Sequence, residues 1–106
     1  MKHLADLTEA AIRKLPAGAR INALVAEALG AYMGQPSLNI STAKAATDSV
    51  GADYLKVTFD EERPKIDRWL CKLRMPGRQV LVWATAPTEE LARCRAVLLA
   101  AKEKPR

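Results

Sequence analysis

The chain has 106 residues, of which 49% are hydrophobic and 27% charged, and its net charge is +5. This length fits a single domain, residues 1–106, and the composition excludes an intrinsically disordered chain. The longest apolar run, residues 96–101, is far shorter than the roughly 20 residues of a membrane-spanning helix, so we expect no membrane association.

The N-terminal stretch MKHLADLTEAAIRK carries charged residues where a signal peptide would be apolar, and no small-residue cleavage site follows it. We therefore expect a cytoplasmic protein.

Apolar residues recur at intervals of three and four in two successive stretches, which predicts two amphipathic helices. The first covers residues 4–15, because Pro16 disfavours helical backbone at the residue before it. Thr8 offers a cap for a later start. The second covers residues 18–33 and ends at Gly34. Its apolar stripe consists of Ile21, Leu24, Val25, Ala28, Leu29 and Tyr32.

A short third helix is predicted in STAKAATDSV, with Ser41 as its N-cap and Gly51 as the left-handed residue that ends it. From Tyr54 onward the apolar period changes to two, which is typical of strands. The predicted strands are YLKVTF, IDRWLCKLRM and RQVLVWAT, joined by the turns DEERPK and PG. Three strands joined by short turns predict an antiparallel meander.

The stretch ATAPTEELARCRAVLLAAK combines a proline, two carboxylates, a cysteine and two arginines. Pro87 ends the third strand, and Thr88 is placed to cap a helix whose first turn holds Glu89 and Glu90. We predict a C-terminal helix with a buried stripe made of Leu91, Cys94, Val97, Leu98 and Ala101.

Together these elements predict an α+β fold, a three-stranded antiparallel meander packed with N-terminal helices and one C-terminal helix. The expected core contains Leu24, Val25, Leu29, Val57, Phe59, Trp69, Leu73, Val80, Val82, Leu91 and Leu98.

The sequence contains few candidates for catalytic or metal-binding residues. His3 has no second imidazole or cysteine nearby in sequence, and residues 60–62 form an acidic turn without the spacing of a calcium loop. Cys71 and Cys94 are not at metal-site spacing, and we expect both to be buried thiols. We therefore predict no catalytic residue, no cofactor, no metal and no enzymatic activity.

Basic residues cluster between Lys65 and Arg78, where Asp67 is the one acidic residue. By strand alternation the side chains of Arg68, Lys72 and Arg74 stand in a row. Every second residue of a strand is about 6.6 Å further along, which is close to the phosphate spacing of a nucleic acid. The candidate nucleic-acid-binding residues are Arg68, Lys72, Arg74 and Arg78. The alternative is that these cations form the solvated face of an edge strand and discourage edge pairing.

Three stretches resemble one family. INALVAEALG resembles the Leu-Val-Ala-Glu helix that opens the phage ABA sandwich domain, and ATAPTEELARCRAVLLAA resembles its closing strand, cap and helix. NISTAKAATDSV is similar to the family's middle helix, with Ser41 and Thr42 in matching places. The resemblance covers residues 20–102 and leaves residues 1–19 as an additional N-terminal helix. It implies a small phage or prophage protein in a bacterial host, without catalytic residues to transfer.

We therefore expect a small non-enzymatic phage or prophage accessory protein that acts by protein–protein interaction, with an unknown protein partner or with itself. The contact would be made by a sheet edge or the N-terminal helix. The alternative is non-specific nucleic-acid binding through the basic hairpin face.

Overall fold

The computed structural model describes residues 3–103, except the side chain of Glu103. The fold is α+β with a three-stranded antiparallel meander in the order β1-β2-β3, as predicted. The elements in chain order are a 3₁₀ turn at Leu4–Asp6, α1 at Glu9–Ile12, α2 at Ala19–Leu29, α3 at Ile40–Ser49, β1 at Tyr54–Phe59, a second 3₁₀ turn at Lys65–Asp67, β2 at Trp69–Arg74, β3 at Val82–Ala86 and α4 at Glu89–Glu103.

The sheet has one buried face and one open face. In β2, Cys71 and Leu73 are fully buried while Lys72 and Arg74 face the other way, which confirms the predicted alternation. Directly opposite residues share a face, so the register assigns every residue of β1 and β3 to one side. Helix α4 packs on the buried face, against β2 and β3.

Helix α4 forms the middle layer of the molecule. It contacts the sheet on one side, and α1, α2, α3 and the first 3₁₀ turn on the others. All ten residues from 91 to 100 are buried. The predicted stripe is buried or half-buried, but the buried surface of α4 extends all round the helix, because the outer helices cover the face that would otherwise meet water. Small side chains let these layers approach closely, and the fully buried ones include Ala43, Ala46, Cys71, Ala84, Ala86, Ala92, Cys94, Ala96 and Ala100.

Two arginines are buried in this middle layer with their guanidinium groups hydrogen-bonded. Arg93 donates to Glu89 Oε2 at 2.8 Å and to the Thr47 hydroxyl at 2.7 Å, which joins α4 to α3. Arg95 donates through Nε and Nη2 to the Leu15 carbonyl at 3.0 and 2.7 Å, and through Nη1 to the Thr85 carbonyl at 2.7 Å. Arg95 therefore ties the N-terminal segment and β3 to the same helix.

The N-terminal helix is shorter than predicted. Thr8 adopts an extended conformation and its hydroxyl accepts from the Ala11 N–H, so the alternative start at Thr8 is confirmed. Residues 1 and 2 lie outside the described part of the chain. Four apolar residues of this segment still enter the core, and they are Leu4, Leu7, Ile12 and Leu15.

The boundaries of α2 and α3 also differ from prediction. Helix α2 ends at Gly30, whose φ of 69° is left-handed, so Tyr32 lies beyond it and is exposed. The N-cap of α3 is Asn39, whose side chain accepts from the Thr42 N–H, and Ser41 is already inside the helix. Gly51, with φ of 82°, follows α3 in the left-handed conformation that the sequence predicted.

Two predicted core residues are exposed. Phe59 is 52% exposed because β1 is an edge strand beyond the part of the sheet that α4 covers. Val80 is 77% exposed because β3 begins only at Val82, where that residue pairs with Leu73. The connection after Pro76 and Gly77 is therefore longer than the tight turn we predicted. The other nine predicted core residues are buried or half-buried.

Replacing Arg95 with Met tests the anchoring role of its guanidinium. The Leu15 and Thr85 carbonyls would lose their donor in a buried site, so we expect the free energy of unfolding to fall by about 2–4 kcal/mol in urea denaturation. Arg20→Met, at an exposed position of α2, is the matched control and should change stability by less than about 0.5 kcal/mol. An equally small effect of Arg95→Met would contradict the anchoring role.

Candidate functional site

The face of the sheet opposite α4 carries cations and aromatic rings. Lys56, Lys72 and Trp83 lie directly opposite one another across the three strands, and Tyr54 lies opposite Arg74. No α-helix among residues 3–103 covers this side of the sheet, and the second 3₁₀ turn reaches it only at one end. We call this surface the open face, and its residues are Tyr54, Lys56, Thr58, Leu70, Lys72, Arg74, Trp83 and Thr85.

The second 3₁₀ turn, rather than a helix, approaches this face, at the end near Leu70. Ile66 lies in the second 3₁₀ turn, outside β2, and is exposed. The turn approaches β3 through Asp67, whose Oδ1 accepts from the Thr85 hydroxyl at 2.8 Å. Only the end of the open face near Leu70 and Thr85 is therefore partly covered.

Both aromatic rings of the open face are contacted by arginine. The Arg13 guanidinium lies 4.4 Å from the centroid of the Trp83 ring, and its Nε donates to the Trp83 carbonyl at 3.2 Å. The Arg74 guanidinium lies 5.9 Å from the centroid of the Tyr54 ring and donates to Asp53 at 3.1 Å. Guanidinium groups over aromatic faces are favourable. These contacts hold two positive charges at opposite edges of the open face.

Lys56 and Lys72 form a pair of like charges at the centre of the open face. Like charges directly opposite on adjacent strands are destabilising. Within residues 3–103 neither ammonium group has a carboxylate partner within 4.0 Å. The strand pairing therefore concentrates positive charge where the fold gains nothing from it.

The structure brings together two of the four predicted nucleic-acid-binding residues. Lys72 and Arg74 share the open face. Arg68 lies before β2 with helical backbone, φ −68° and ψ −29°, so strand alternation does not extend to it, and its Nε donates to the Arg63 carbonyl at 3.2 Å. Arg78 lies in the connection between β2 and β3.

Sequence reasoning missed Lys56, Trp83 and Arg13. The alternation in YLKVTF already put Lys56 on the polar side of its strand, but its place beside Lys72 depends on the register of the pairing. Trp83 follows in the same way from the pairing of β2 with β3. Arg13 reaches the sheet from a separate part of the chain, and no local pattern indicates that contact.

A groove of about 1030 Å³ adjoins the open face at Trp83. Its apolar lining includes Pro16, Ile66 and Leu91, and Arg13 and Arg63 also line it. Arg95 lines it too, with its guanidinium hydrogen-bonded to backbone carbonyls. Burial lowers the pKa of Arg95, and the Asp67 carboxylate opposes this shift.

The two edges of the sheet differ. The Asp60 N–H donates to the Arg68 carbonyl at 2.9 Å, one position beyond the last β1–β2 pair. Hydrogen-bonded and non-hydrogen-bonded pairs alternate in an antiparallel ladder, so every second residue of β1 directs its backbone groups away from the sheet. These residues are Leu55, Val57 and Phe59.

At β3 the corresponding outward carbonyls belong to Trp83 and Thr85, and they accept hydrogen bonds from Arg13 and Arg95. At β1, within residues 3–103, no side chain hydrogen-bonds to the outward backbone groups. The β3 edge is therefore closed by guanidinium groups, and the β1 edge is open.

Neither cysteine is poised to be a nucleophile. Cys71 and Cys94 are free thiols and fully buried, as the sequence predicted. Burial raises the pKa of Cys71 to about 12, with the Arg93 charge opposing the shift. Burial likewise raises the pKa of Cys94 to about 12, and Glu90 adds to the effect. Both thiols therefore stay protonated at neutral pH.

The remaining polar candidates have structural roles. His3 Nδ1 lies 2.9 Å from Glu27 Oε1, and Glu27 Oε2 also accepts from the Leu4 N–H, which ties the N-terminal segment to α2. Asp60 accepts from the Glu62 N–H at 2.9 Å and shapes the acidic turn. In the part of the chain that the structure describes, no three His, Cys, Asp or Glu side chains are grouped to hold a metal ion. Nor is any helix among residues 3–103 long and apolar enough to cross a membrane.

No family model, curated protein or solved structure matches the chain. The resemblance of residues 20–102 to the phage ABA sandwich domain therefore stays a prediction.

The two buried thiols predict a loss of stability at alkaline pH. The unfolded chain releases both protons above about pH 9, whereas the folded chain keeps them, so stability is complete below this pH and falls as pH rises toward 12. Each thiol contributes a slope of up to about 1.4 kcal/mol per pH unit. Urea denaturation between neutral pH and pH 10.5 measures the slope. The Cys71→Ala/Cys94→Ala variant should have a lower free energy of unfolding at every pH, but that free energy should fall less steeply as pH rises. Equal slopes in the variant and the wild type would contradict the assignment.

Proposed function

We propose that this protein is a non-enzymatic phage or prophage accessory protein of the bacterial cytoplasm that acts by protein–protein interaction. The resemblance of residues 20–102 to the phage ABA sandwich domain supports the origin. The partner that fits the open edge best is a second copy of the chain, which pairs its β1 with this β1 and joins two sheets into one of six strands.

The contrast between the two sheet edges carries this proposal. Guanidinium groups donate to the outward carbonyls of β3, whereas no side chain in the described part of the chain donates to those of β1. The residues that direct free backbone groups outward also expose apolar side chains, since Leu55 is 41% and Phe59 52% exposed. A strand with free hydrogen-bonding groups and an uncovered apolar face is a template for pairing with another strand.

The sequence of β1 favours a two-fold symmetric antiparallel pairing centred on Val57. In this register Leu55 lies opposite Phe59 of the second copy, and the reverse holds by symmetry, so all three apolar residues pair with one another. Lys56 then lies opposite Thr58 of the second copy. Centring on Lys56 would oppose two like charges, and centring on Thr58 would run the pairing past the end of the strand.

Such a pairing joins short strands and buries a modest area. The Val57-centred register pairs residues 55–59, so backbone hydrogen bonds and two Leu–Phe contacts provide most of the affinity. Interfaces of this size are characteristic of weak association. We therefore expect a micromolar monomer–dimer equilibrium.

Analytical ultracentrifugation over a wide concentration range tests the proposal. The chain should shift from 11.6 kDa toward twice that mass as concentration rises. Phe59→Lys places a charge on the apolar face of β1 and should keep the protein monomeric. Tyr32→Lys is the matched control, because it replaces an exposed aromatic residue outside β1 and should leave the equilibrium unchanged.

A charge pair then tests the register. In the Leu55→Glu/Phe59→Lys variant, only the Val57-centred pairing brings the new opposite charges together, so dimerisation should return above the level of Phe59→Lys alone. Within one chain the two positions are four residues apart along an extended strand, too far for an ion pair. A wild-type protein that stays monomeric up to its solubility limit would refute the proposal.

A further inference from the structure

We propose that the open face and the adjoining groove bind single-stranded nucleic acid, with phosphates held by the lysine pair and bases stacked beside Trp83. The open face includes Lys56 of β1 but not the residues that direct backbone groups outward from that strand, and the proposal does not depend on dimerisation. It revises the residue set that the sequence indicated, since Lys72 and Arg74 are retained and Lys56, Trp83 and Arg13 are added.

The lysine pair is the first argument. The register forces Lys56 and Lys72 to face each other, and within residues 3–103 no carboxylate lies within 4.0 Å of either ammonium group, so the pairing costs stability. A phosphate between the two ammonium groups would convert this repulsion into attraction. Arg74, which is paired with Asp53, follows Lys72 at about 6.6 Å along the same strand, so cationic side chains extend along the strand as well as across it. A flexible phosphodiester chain can follow such a line of charges.

The aromatic residue and the groove are the second argument. Trp83 is 45% exposed, lies opposite Lys72, and lines the groove of about 1030 Å³. Pro16 and Ile66 give the groove apolar surface. Arg13 and Arg63 place guanidinium groups at its border, each with a carboxylate partner, and Asp67 also lines it. A space with apolar walls, an exposed indole and cations at its border suits a nucleobase with its phosphate outside.

The shape of the surface favours a single strand over a duplex. Three strands span a face only about 10 Å wide from β1 to β3, since neighbouring strands lie about 4.8 Å apart. The open face presents no helix that could enter a major groove. Bases can reach an indole for stacking only when they are not paired with a second strand.

Fluorescence anisotropy with labelled oligonucleotides tests the proposal. Single-stranded DNA and RNA of one sequence, and a duplex of the same length, are titrated at low and at near-physiological salt. We expect tighter binding to the single strands, weakening as salt rises. In Lys56→Ala/Lys72→Ala the slope of log affinity against log salt should fall by about 0.7, which corresponds to the one phosphate held between the two ammonium groups.

A charge-matched variant separates this site from general attraction to a basic protein. Arg20→Ala/Lys44→Ala removes two exposed cations from α2 and α3, which lie away from the sheet, and should bind nearly as tightly as wild type. The lysine-pair variant should also unfold at a higher urea concentration than wild type, because a like-charge pair has been removed. Loss of binding in this variant therefore cannot be explained by unfolding.

Trp83→Leu tests stacking while keeping an apolar side chain in place. We expect single-strand affinity to fall by about 5- to 100-fold with little change in the salt slope, because stacking does not release counterions. Three results would overturn the proposal. They are no single-strand binding at low salt, tighter binding to the duplex, or equal losses in Lys56→Ala/Lys72→Ala and Arg20→Ala/Lys44→Ala.

Discussion

Burial of α4 on every side organises this protein. A helix between a sheet and an outer helical layer has no solvent-exposed face, so its two buried arginines need hydrogen-bond partners inside the molecule. Arg93 donates hydrogen bonds to Glu89 and Thr47, and Arg95 donates to two backbone carbonyls from distant segments. The guanidinium of Arg95 satisfies a carbonyl that precedes a proline and another at the outer side of β3. The same contact that stabilises the middle layer therefore closes one edge of the sheet.

The position of α4 also determines which surfaces stay accessible. Because the helix lies over β2 and β3, the apolar face of β1 extends past it, and no helix among residues 3–103 covers the opposite side of the sheet. Backbone groups and apolar side chains are exposed together along β1, whereas like charges meet on the open face. These two surfaces call for different partners, one with a strand to pair and one with negative charge. Neither surface requires the other to be occupied.

Local periodicity predicted the α+β class, the three strands and the two faces of β2, because alternation along one strand needs no knowledge of its neighbours. It failed where the burial or the contacts of a residue depend on tertiary packing. Phe59 alternates correctly but lies beyond the reach of α4. Arg95 resembles a solvent-exposed residue until its partner, 80 positions earlier, is known. The lysine pair on the open face emerges only from the register of β1 with β2.

The long-range ties of α4 have a consequence for how the protein acquires its structure. Arg95 bonds to a carbonyl 80 residues earlier and Lys102 to the Leu7 carbonyl 95 residues earlier. Contacts of such high sequence separation slow folding, because long loops must close before the contacts form. During translation the sheet and the outer helices leave the ribosome before the helix that covers their apolar faces. The nascent chain therefore presents binding surface to chaperones until α4 emerges.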